Sequence, residues 1–577
     1  MAEKKVGVKT AGWFAEKIFS GERKVLLLVV LAALPAALPF LTGNYVFNGE
    51  FHSVSLRSFE LNTCLKDGIL FPRWSPDLFA GKGAPLFNFY APFAYYLVQL
   101  PVLLGQGLAS SVHLIYALSI LVSALGAFFF ARKFASTKGA FLASVFYAYF
   151  PYHLTDVFVR GVFSESVAYA IMPFAAFFLL EALDGRRLAA AAVALALLVL
   201  AHSPLSLLFA VVFIPYVCAK AVLEGKKKVF VVSVLLGLGL SAVFWVPALA
   251  ERDYVSLERT DLGFTSFMQL QDFTSIPPVP SQLTHDAWNG VVATAKFIEI
   301  NGFSVSQDRK SVQTGLFYML AVLAGLIFAL FFSRRTLLLE ALLVLALLFF
   351  VTSFSLPFWP EFLKNVQFSW RLLPLIALFS SALIASLMEK RGWKPVILSC
   401  IALAVFSIAL ILPFEYFHLP NSYYDSTVTA DSIRLLNNDF SYKNEYAPAG
   451  ANWSEILTGP FVENGFASAS QSCYETSVSI SATAKSWVVL NLFYYPNWVL
   501  EVDGTQRPLQ ENELGMVMFQ VDAGKHDARV HFEETPVEKA SWAISIAALL
   551  LVLALAFWTE KAKEFFERAS GKRNALG

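Results

Sequence analysis

Charge is scarce in this chain. Only 15% of its 577 residues are Asp, Glu, Lys or Arg, against roughly 25% in an ordinary soluble domain, which excludes a freely soluble enzyme. The charge that exists is balanced, 44 basic against 43 acidic side chains for a formal net charge of +1, so there is no global attraction toward nucleic acid. Cysteine is nearly absent. Cys64, Cys218, Cys400 and Cys473 contain no Cys-x-x-Cys pair, which excludes a zinc knuckle, a redox dithiol and a disulfide scaffold. Cys218 and Cys400 fall in apolar runs and read as core. Cys64 and Cys473 fall in polar stretches assigned below to the outside, where a bridge between them is chemically allowed, although spacing alone carries no geometry. Also missing is a Gly-rich phosphate loop, which counts against a nucleotide-driven pump or a cytoplasmic nucleotide-sugar enzyme.

What the chain has instead is apolar sequence: 57% hydrophobic residues and a mean hydropathy of +0.58. A hydrocarbon core about 30 Å thick needs roughly 20 apolar residues in helical form, because its backbone amides must be satisfied internally. About twelve such runs are found by this reading, the first at 25–41, the last at 541–558, with 139–154, 166–183, 229–249 and 372–388 among those between. The run at 92–104 is short, carries Gln99 and Pro101, and reads as a helix lying at the interface or re-entering. Cytoplasmic loops carry the excess of Lys and Arg. Arg132-Lys133, Arg186-Arg187, Lys226-Lys227-Lys228, Arg334-Arg335, Lys390-Arg391 and both chain ends therefore read as inside, making the first span an uncleaved signal anchor in the plasma (inner) membrane with both termini cytoplasmic.

This gives a polytopic α-helical domain over 1–412 with long outer loops at 42–111 and 250–314, an extracytoplasmic β-rich domain over 413–540, and a final span with a basic tail over 541–577. The β-domain is read from alternating patterns at 487–492, 498–502, 516–521 and 528–532, with Asp503-Gly504 and Ala523-Gly524 as hairpin turns.

With that orientation the ionisable residues beside apolar runs gather at the outer face. They are Glu50, His52 and Arg57, then Arg73, Trp74, Asp77, Asn88 and Tyr90, then Asp156, Arg160 and Glu165, then His202, and finally Gln367, Trp370 and Arg371. Each has a bland alternative: arginines at span ends snorkel to headgroups, and His202 caps a tight turn. Together, carboxylates, arginines and a histidine on one side point to a site for an anionic head group with general-base chemistry.

Phe51-His52 through Arg57, Gly68 to Trp74, Gly81 to Tyr90, Arg160-Gly161 with Glu165, and Gln367 to Arg371 resemble the bacterial membrane proteins named 6-pyruvoyl-tetrahydropterin synthase-related. Tyr494-Tyr495-Pro496-Asn497-Trp498 with Val502-Asp503-Gly504 is a pattern also found in membrane proteins of the GT-C glycosyltransferase kind. Nothing here resembles the histidine zinc site of the soluble pterin enzyme. The resemblance implies a GT-C-like fold, an acidic residue in the first outer loop and a polyprenyl-phosphate sugar donor. The family usually places Asp three residues before the Phe-His pair, where this chain has Asn48; an amide cannot accept a proton at neutral pH, so either Glu50 takes the role or the activity is lost.

The expectation is an inverting transfer of sugar from a polyprenyl-phosphate lipid to a glycan, lipid or protein acceptor of the cell envelope at the outer face. Glu50 would be the base, with Asp77 or Glu165 in reserve. His52, Arg57, Arg73, Trp74, Asn88, Tyr90, Arg160, His202, Gln367, Trp370 and Arg371 would bind substrate, arginines on phosphate and aromatics on sugar faces. A divalent metal is left open, since outer carboxylates are present but no ligand spacing points to one. Two rival readings remain: a non-catalytic binder or translocator of lipid-linked glycan, which Asn48 favours, and a structural envelope protein.

Overall fold

The computed structural model describes residues 22–42, 50–256, 316–333, 337–411 and 447–573, less 227, 365, 367, 390, 391 and 452–458, together with short strands at 45–46, 296–300, 303–307 and 416–417. Every apolar run named from the sequence carries helix. The helices are α1 (Glu22–Ala37), α2 (Phe51–Lys66), α3 (Phe93–Leu103), α4 (Leu108–Ala131), α5 (Thr137–Ala148), α6 (Phe163–Ala182), α7 (Leu188–Ala201), α8 (Ser203–Leu223), α9 (Phe230–Leu240), α10 (Ala242–Ala250), α11 (Leu316–Phe332), α12 (Leu338–Phe350), α13 (Leu373–Leu387), α14 (Trp393–Ile411) and α15 (Pro536–Arg573).

Among the described residues, 6 helices are long and apolar enough to cross a bilayer, or up to 7 if a bent pair counts as one span. The expected count of about twelve is therefore not reproduced by length. The reason is local. The run at 139–154 breaks after Ala148 and resumes as a short helix at Pro151–Thr155, because Pro151 lacks the amide a continuing helix needs and disfavours helical backbone in the residue before it. The run at 229–249 is α9 and α10, bent by 66°. Gly237 and Gly239 let α9 sit so close to α7 and α15 that an added Cβ would lie 2.9 Å from Leu195 and Ala548. At the break the Val243 amide donates to Ser545 Oγ on α15 at 2.8 Å, so the interrupted backbone keeps a partner. The helix α3 has 11 residues, about 16 Å at 1.5 Å per residue, too short to span. Its Gln99 donates to the Ser58 carbonyl and accepts from Asn62, which fastens it to α2.

The C-terminal domain is two antiparallel sheets built from β1 (Phe461–Val462), β2 (Gly465–Gln471), β3 (Glu475–Ala482), β4 (Ser486–Phe493), β5 (Trp498–Val502), β6 (Thr505–Arg507), β7 (Gln510–Glu511), β8 (Met516–Val521) and β9 (Gly524–Phe532). Strand orders are β6-β5-β9-β3-β2 and β7-β8-β4-β1. Inward residues alternate as a half-buried sheet requires: Val478 and Ile480, Val488 and Leu490, Leu500, Phe519 and Val530 are all buried. Asp503 and Gly504 both take positive φ, 51° and 74°, as a two-residue hairpin turn demands, and Thr505 pairs with Val502 across it.

The first long loop belongs to this β-domain as much as to the helices. Cys64 and Cys473 form a disulfide, with Cα atoms 5.1 Å apart and a separation of 409 positions in sequence. Trp74 sits in the β-domain core against Trp498 and Tyr495. Gly83 lies beneath its indole, where a Cβ would fall 2.3 Å from Trp74 Nε1. The Phe493 amide donates to the Lys82 carbonyl at 2.8 Å. At the opposite end of the helices the basic connections meet acids: Lys133 with Glu181 at 2.6 Å, Arg186 with Glu181 at 3.2 Å and Lys226 with Asp184 at 2.9 Å.

Candidate functional site

Most of the polar residues singled out in the sequence meet in two clusters at the β-domain end of the helices. The first is built around Glu165, in the first turn of α6. Before it, residues 156–160 form a π-helical turn closed by Gly161 at φ 72°, a backbone glycine adopts without a Cβ penalty. Tyr116 donates to the Gly161 carbonyl at 2.7 Å and pins the turn. Tyr152, Asp156 and Arg160 thereby face one way: Arg160 Nη1 bonds Asp156 Oδ1 at 2.6 Å and the Tyr152 hydroxyl at 3.1 Å.

The Glu165 carboxylate is fully buried. Its Oε1 accepts from the Tyr152 hydroxyl. Its Oε2 faces Arg371 Nε at 3.5 Å, Arg160 Nη1 at 3.7 Å and His202 Nε2 at 3.9 Å. Arg371 arrives from a 3-10 turn that opens α13, with Nη1 on the Val366 carbonyl at 2.7 Å. His202 caps α8, its Nδ1 accepting from the Leu205 amide at 3.3 Å, which leaves Nε2 to carry the proton toward Glu165. Burial pushes His202 down to about 3 although Glu165 pulls the other way. Burial and the nearby Glu165 carboxylate push Asp156 up, against Arg160.

Arg57 extends this cluster. Its guanidinium lies 4.2 Å from the Tyr90 ring centroid, 3.4 Å from the Tyr95 hydroxyl and 3.9 Å from Glu50 Oε2. Despite burial, Tyr90, Tyr95 and Glu50 hold it well above the ordinary arginine value. Glu50 also acts electrostatically on Asp156 and Arg160, so the two halves share one field. Its side chain is 27% exposed, unlike the enclosed Glu165. Trp370 stacks on Phe368 at 4.5 Å beside Arg371.

Arg73, Trp74 and Asn88 go elsewhere. The fully buried Arg73 donates through Nη1 to Asn88 Oδ1 at 2.7 Å and through Nη2 to the Val243 carbonyl at 3.3 Å, while Nε faces Glu538 at 3.2 Å. Asn88 in turn donates to Glu251 Oε2 at 2.7 Å and meets the Tyr495 hydroxyl. These residues tie the first loop, the α9–α10 bend, the β-domain and α15 together. Asp77 is buried near Glu60, whose Oε2 accepts the Asp77 amide at 3.3 Å, beside Phe79 and Ala80 in left-handed backbone. Asn48, Gln367 and the His52 side chain lie outside the described residues.

Tyr152 was not among the sequence candidates, and Asp156 was placed at the outer face without a role, although Tyr152, Asp156 and Arg160 follow one another at four-residue spacing, which puts them on one helical face. Among the described residues no three His, Cys, Asp or Glu side chains gather as a metal site. The carboxylates of the first cluster lie against arginines, so a cation would compete with guanidinium groups, whereas an anion would find N–H donors.

Residues 87–272 match the 6-pyruvoyl-tetrahydropterin synthase related domain, a membrane-protein family. No curated protein matches the sequence. Among solved structures, the chain is similar to the arabinofuranosyltransferase AftD from mycobacteria, with 17% identity and a TM-score of 0.46 over 70% of this chain and 28% of that one. It is also similar to ArnT from Cupriavidus metallidurans bound to undecaprenyl phosphate, with 13% identity and a TM-score of 0.41 over 72% of this chain and 70% of that one. A third is the oligosaccharyltransferase of Archaeoglobus fulgidus, with 15% identity and a TM-score of 0.45 over 76% of this chain and 61% of that one. The chain thus spans less than a third of the mycobacterial protein's length, and likenesses this distant transfer no residue role.

Proposed function

We propose that this membrane protein transfers a glycosyl group from a polyprenyl-phosphate lipid to an envelope acceptor on the outer side of the membrane, with inversion at the anomeric carbon. The observation that carries the reading is the convergence of Arg57, Arg160 and Arg371, from three separate stretches of chain, around the carboxylates of Glu50, Asp156 and Glu165. The resemblance read from the sequence supplies the donor class.

The division of labour follows from burial. Glu165 is enclosed by a tyrosine, two arginines and a histidine, so protonating it would break several contacts at once; it holds Arg160 and Arg371 in place. Among the described residues Glu50 pairs with the cluster through Arg57 at 3.9 Å, and it retains solvent access, so it can take the proton from an acceptor hydroxyl. As that oxygen bonds to the anomeric carbon, the bond from this carbon to the phosphate oxygen breaks and its electron pair remains on the phosphate. Arg160 and Arg371, planar guanidinium groups that stay charged in low dielectric, meet the growing charge on the phosphate. Tyr90 and Trp370 offer ring faces for the sugar. The excess of Lys and Arg in the connections supports a cytoplasmic setting for both termini and for the acidic-basic belt of the far end.

One sequence observation favours the second reading, a binder without turnover: the family's usual aspartate is Asn48 here. Both readings require an anionic lipid head at the arginines. Mass spectrometry of lipid retained by the protein purified in native nanodiscs tests that shared premise. A polyprenyl-phosphate species that is lost in Arg371→Lys, where the fork geometry disappears but the charge remains, is the expected result. Retention of neutral lipid only would overturn both.

A further inference from the structure

Between α12 and α13 the chain makes a 3-10 turn at Ser353–Phe358 and a short helix at Glu361–Lys364. Its two faces differ sharply. Ser355, Trp359 and Leu363, four residues apart, point inward and are buried; the Trp359 indole N–H donates to Ser355 Oγ at 2.9 Å and its ring packs on Phe350 at 5.7 Å. Phe354, Phe358 and Phe362, at the same spacing one residue earlier, point outward and are 79%, 64% and 57% exposed. An all-aromatic outer row is a poor water-facing surface.

The row is also continuous with the exposed apolar side of α12. Phe349, Leu345 and Leu342 on that helix are exposed large hydrophobics, and the Phe349 and Phe358 rings lie 5.9 Å apart. The segment ends at the candidate site. The Val366 carbonyl holds Arg371, and Ser369 Oγ donates to the Val351 carbonyl at 3.0 Å, closing the base of the excursion.

We propose that residues 353–364 are a flap inserted into the membrane leaflet on the β-domain side, with Phe354, Phe358 and Phe362 among lipid acyl chains and Arg371 held at head-group depth beside it. An apolar face of this kind settles about 5–10 Å into the boundary between headgroups and chains, and the buried Ser355–Trp359–Leu363 face keeps the flap packed on the protein. The occupant is lipid because the row extends the exposed apolar side of α12 in a chain built of membrane-type helices, while the polar Thr352, Ser353 and Glu361 sit beside the row at head-group depth. Rested on the function proposed above, the flap adds the entry side: a lipid whose chain lies along it presents its phosphate to Arg371.

The test uses the full-length protein in which Cys218→Ser and Cys400→Ser leave the Cys64–Cys473 bridge intact, with Phe358→Cys carrying an environment-sensitive fluorophore. The protein is placed in phosphatidylcholine and phosphatidylglycerol nanodiscs with and without lipid bearing a nitroxide high on the acyl chain. The expected result is blue-shifted emission, lost with the nitroxide lipid and resistant to iodide, with the converse at a Thr505→Cys control on the β-domain. Phe354→Cys repeats the reading where Phe358→Cys perturbs folding. Quenching by iodide alone, or shielding from both quenchers as a protein partner would produce, overturns the proposal. The signal needs no turnover, so failure to retain any lipid phosphate would sink the proposed function while leaving this result intact.

Discussion

Glu165 concentrates the site's electrostatics on one side chain. A buried carboxylate facing two arginines and a neutral histidine is stable only while all partners stay, because removing it leaves guanidinium groups uncompensated in low dielectric. Glu165→Gln should therefore destabilise the protein by about 3–5 kcal/mol, read as a lower melting temperature in detergent, and should weaken lipid-phosphate retention together with it. Glu50→Gln should leave the melting temperature close to wild type, since Glu50 is partly exposed and, among the described residues, makes one long ion pair. Equal melting temperatures for the Glu165 variant and wild type would show that Glu165 does not hold the arginines. The gathering of Arg57, Arg160, Arg371, Glu165 and His202 at one end of the helices was legible because charged residues beside apolar runs are costly and so informative. The separation of Arg73 and Asn88 into a second cluster was not: they are the same residue types in the same loop, and only three-dimensional proximity to Glu251 and Glu538 distinguishes them.

At the scale of elements, strands and helices differ in how well they announced themselves. β4, β5, β8 and β9 were legible through alternating large apolar residues, whereas β2 and β3, with sequences Gly-Phe-Ala-Ser-Ala-Ser-Gln and Glu-Thr-Ser-Val-Ser-Ile-Ser-Ala, alternate mainly small or hydroxylated residues and give a faint pattern. The apolar run at 229–249 gave no sign of its 66° bend, since hydropathy averages over the glycines that permit it. The β5–β6 hairpin carries a titratable clasp: His526 Nδ1 lies 2.6 Å from Asp503 Oδ2, and Asp503 Oδ1 accepts the Asp527 amide at 2.9 Å. The bond to His526 holds Asp503 below its ordinary value, and the bond to Asp503 raises His526. The aspartate's contribution is present above its unfolded pKa of about 4 and lost as pH falls through the depressed folded value; the histidine's is present below about 6.5 and lost as pH rises through the raised one. Hydrogen-exchange protection of the Asp527 amide, corrected for intrinsic rate, should peak between those limits, and Asp503→Asn should flatten the profile. An unchanged profile in the variant would contradict the clasp.

For the whole molecule, the organising feature is that the first long loop and the β-domain are fastened at three levels: the Cys64–Cys473 bridge, the Trp74 insertion and the Arg73–Asn88–Glu251 hub. The loop that supplies Glu50, Arg57 and Tyr90 is thus positioned from both sides, by helices and by sheet. Cys64→Ser/Cys473→Ser should cost roughly 2–5 kcal/mol and make the β-domain more open to protease added from outside, while the helices remain resistant. Because a disulfide of this kind persists in an oxidising compartment, the bridge supports the proposed placement of this end of the protein outside; finding both thiols free in freshly isolated membranes would contradict that placement.

Release of polyprenyl phosphate from a polyprenyl-phosphate sugar by the purified protein in nanodiscs, wild type against Glu50→Gln, tests the central claim most directly. The account predicts release by the wild type and a fall of roughly 10²-fold or more in the variant with donor retention nearly unchanged; wild-type turnover that survives Glu50→Gln undiminished would contradict it.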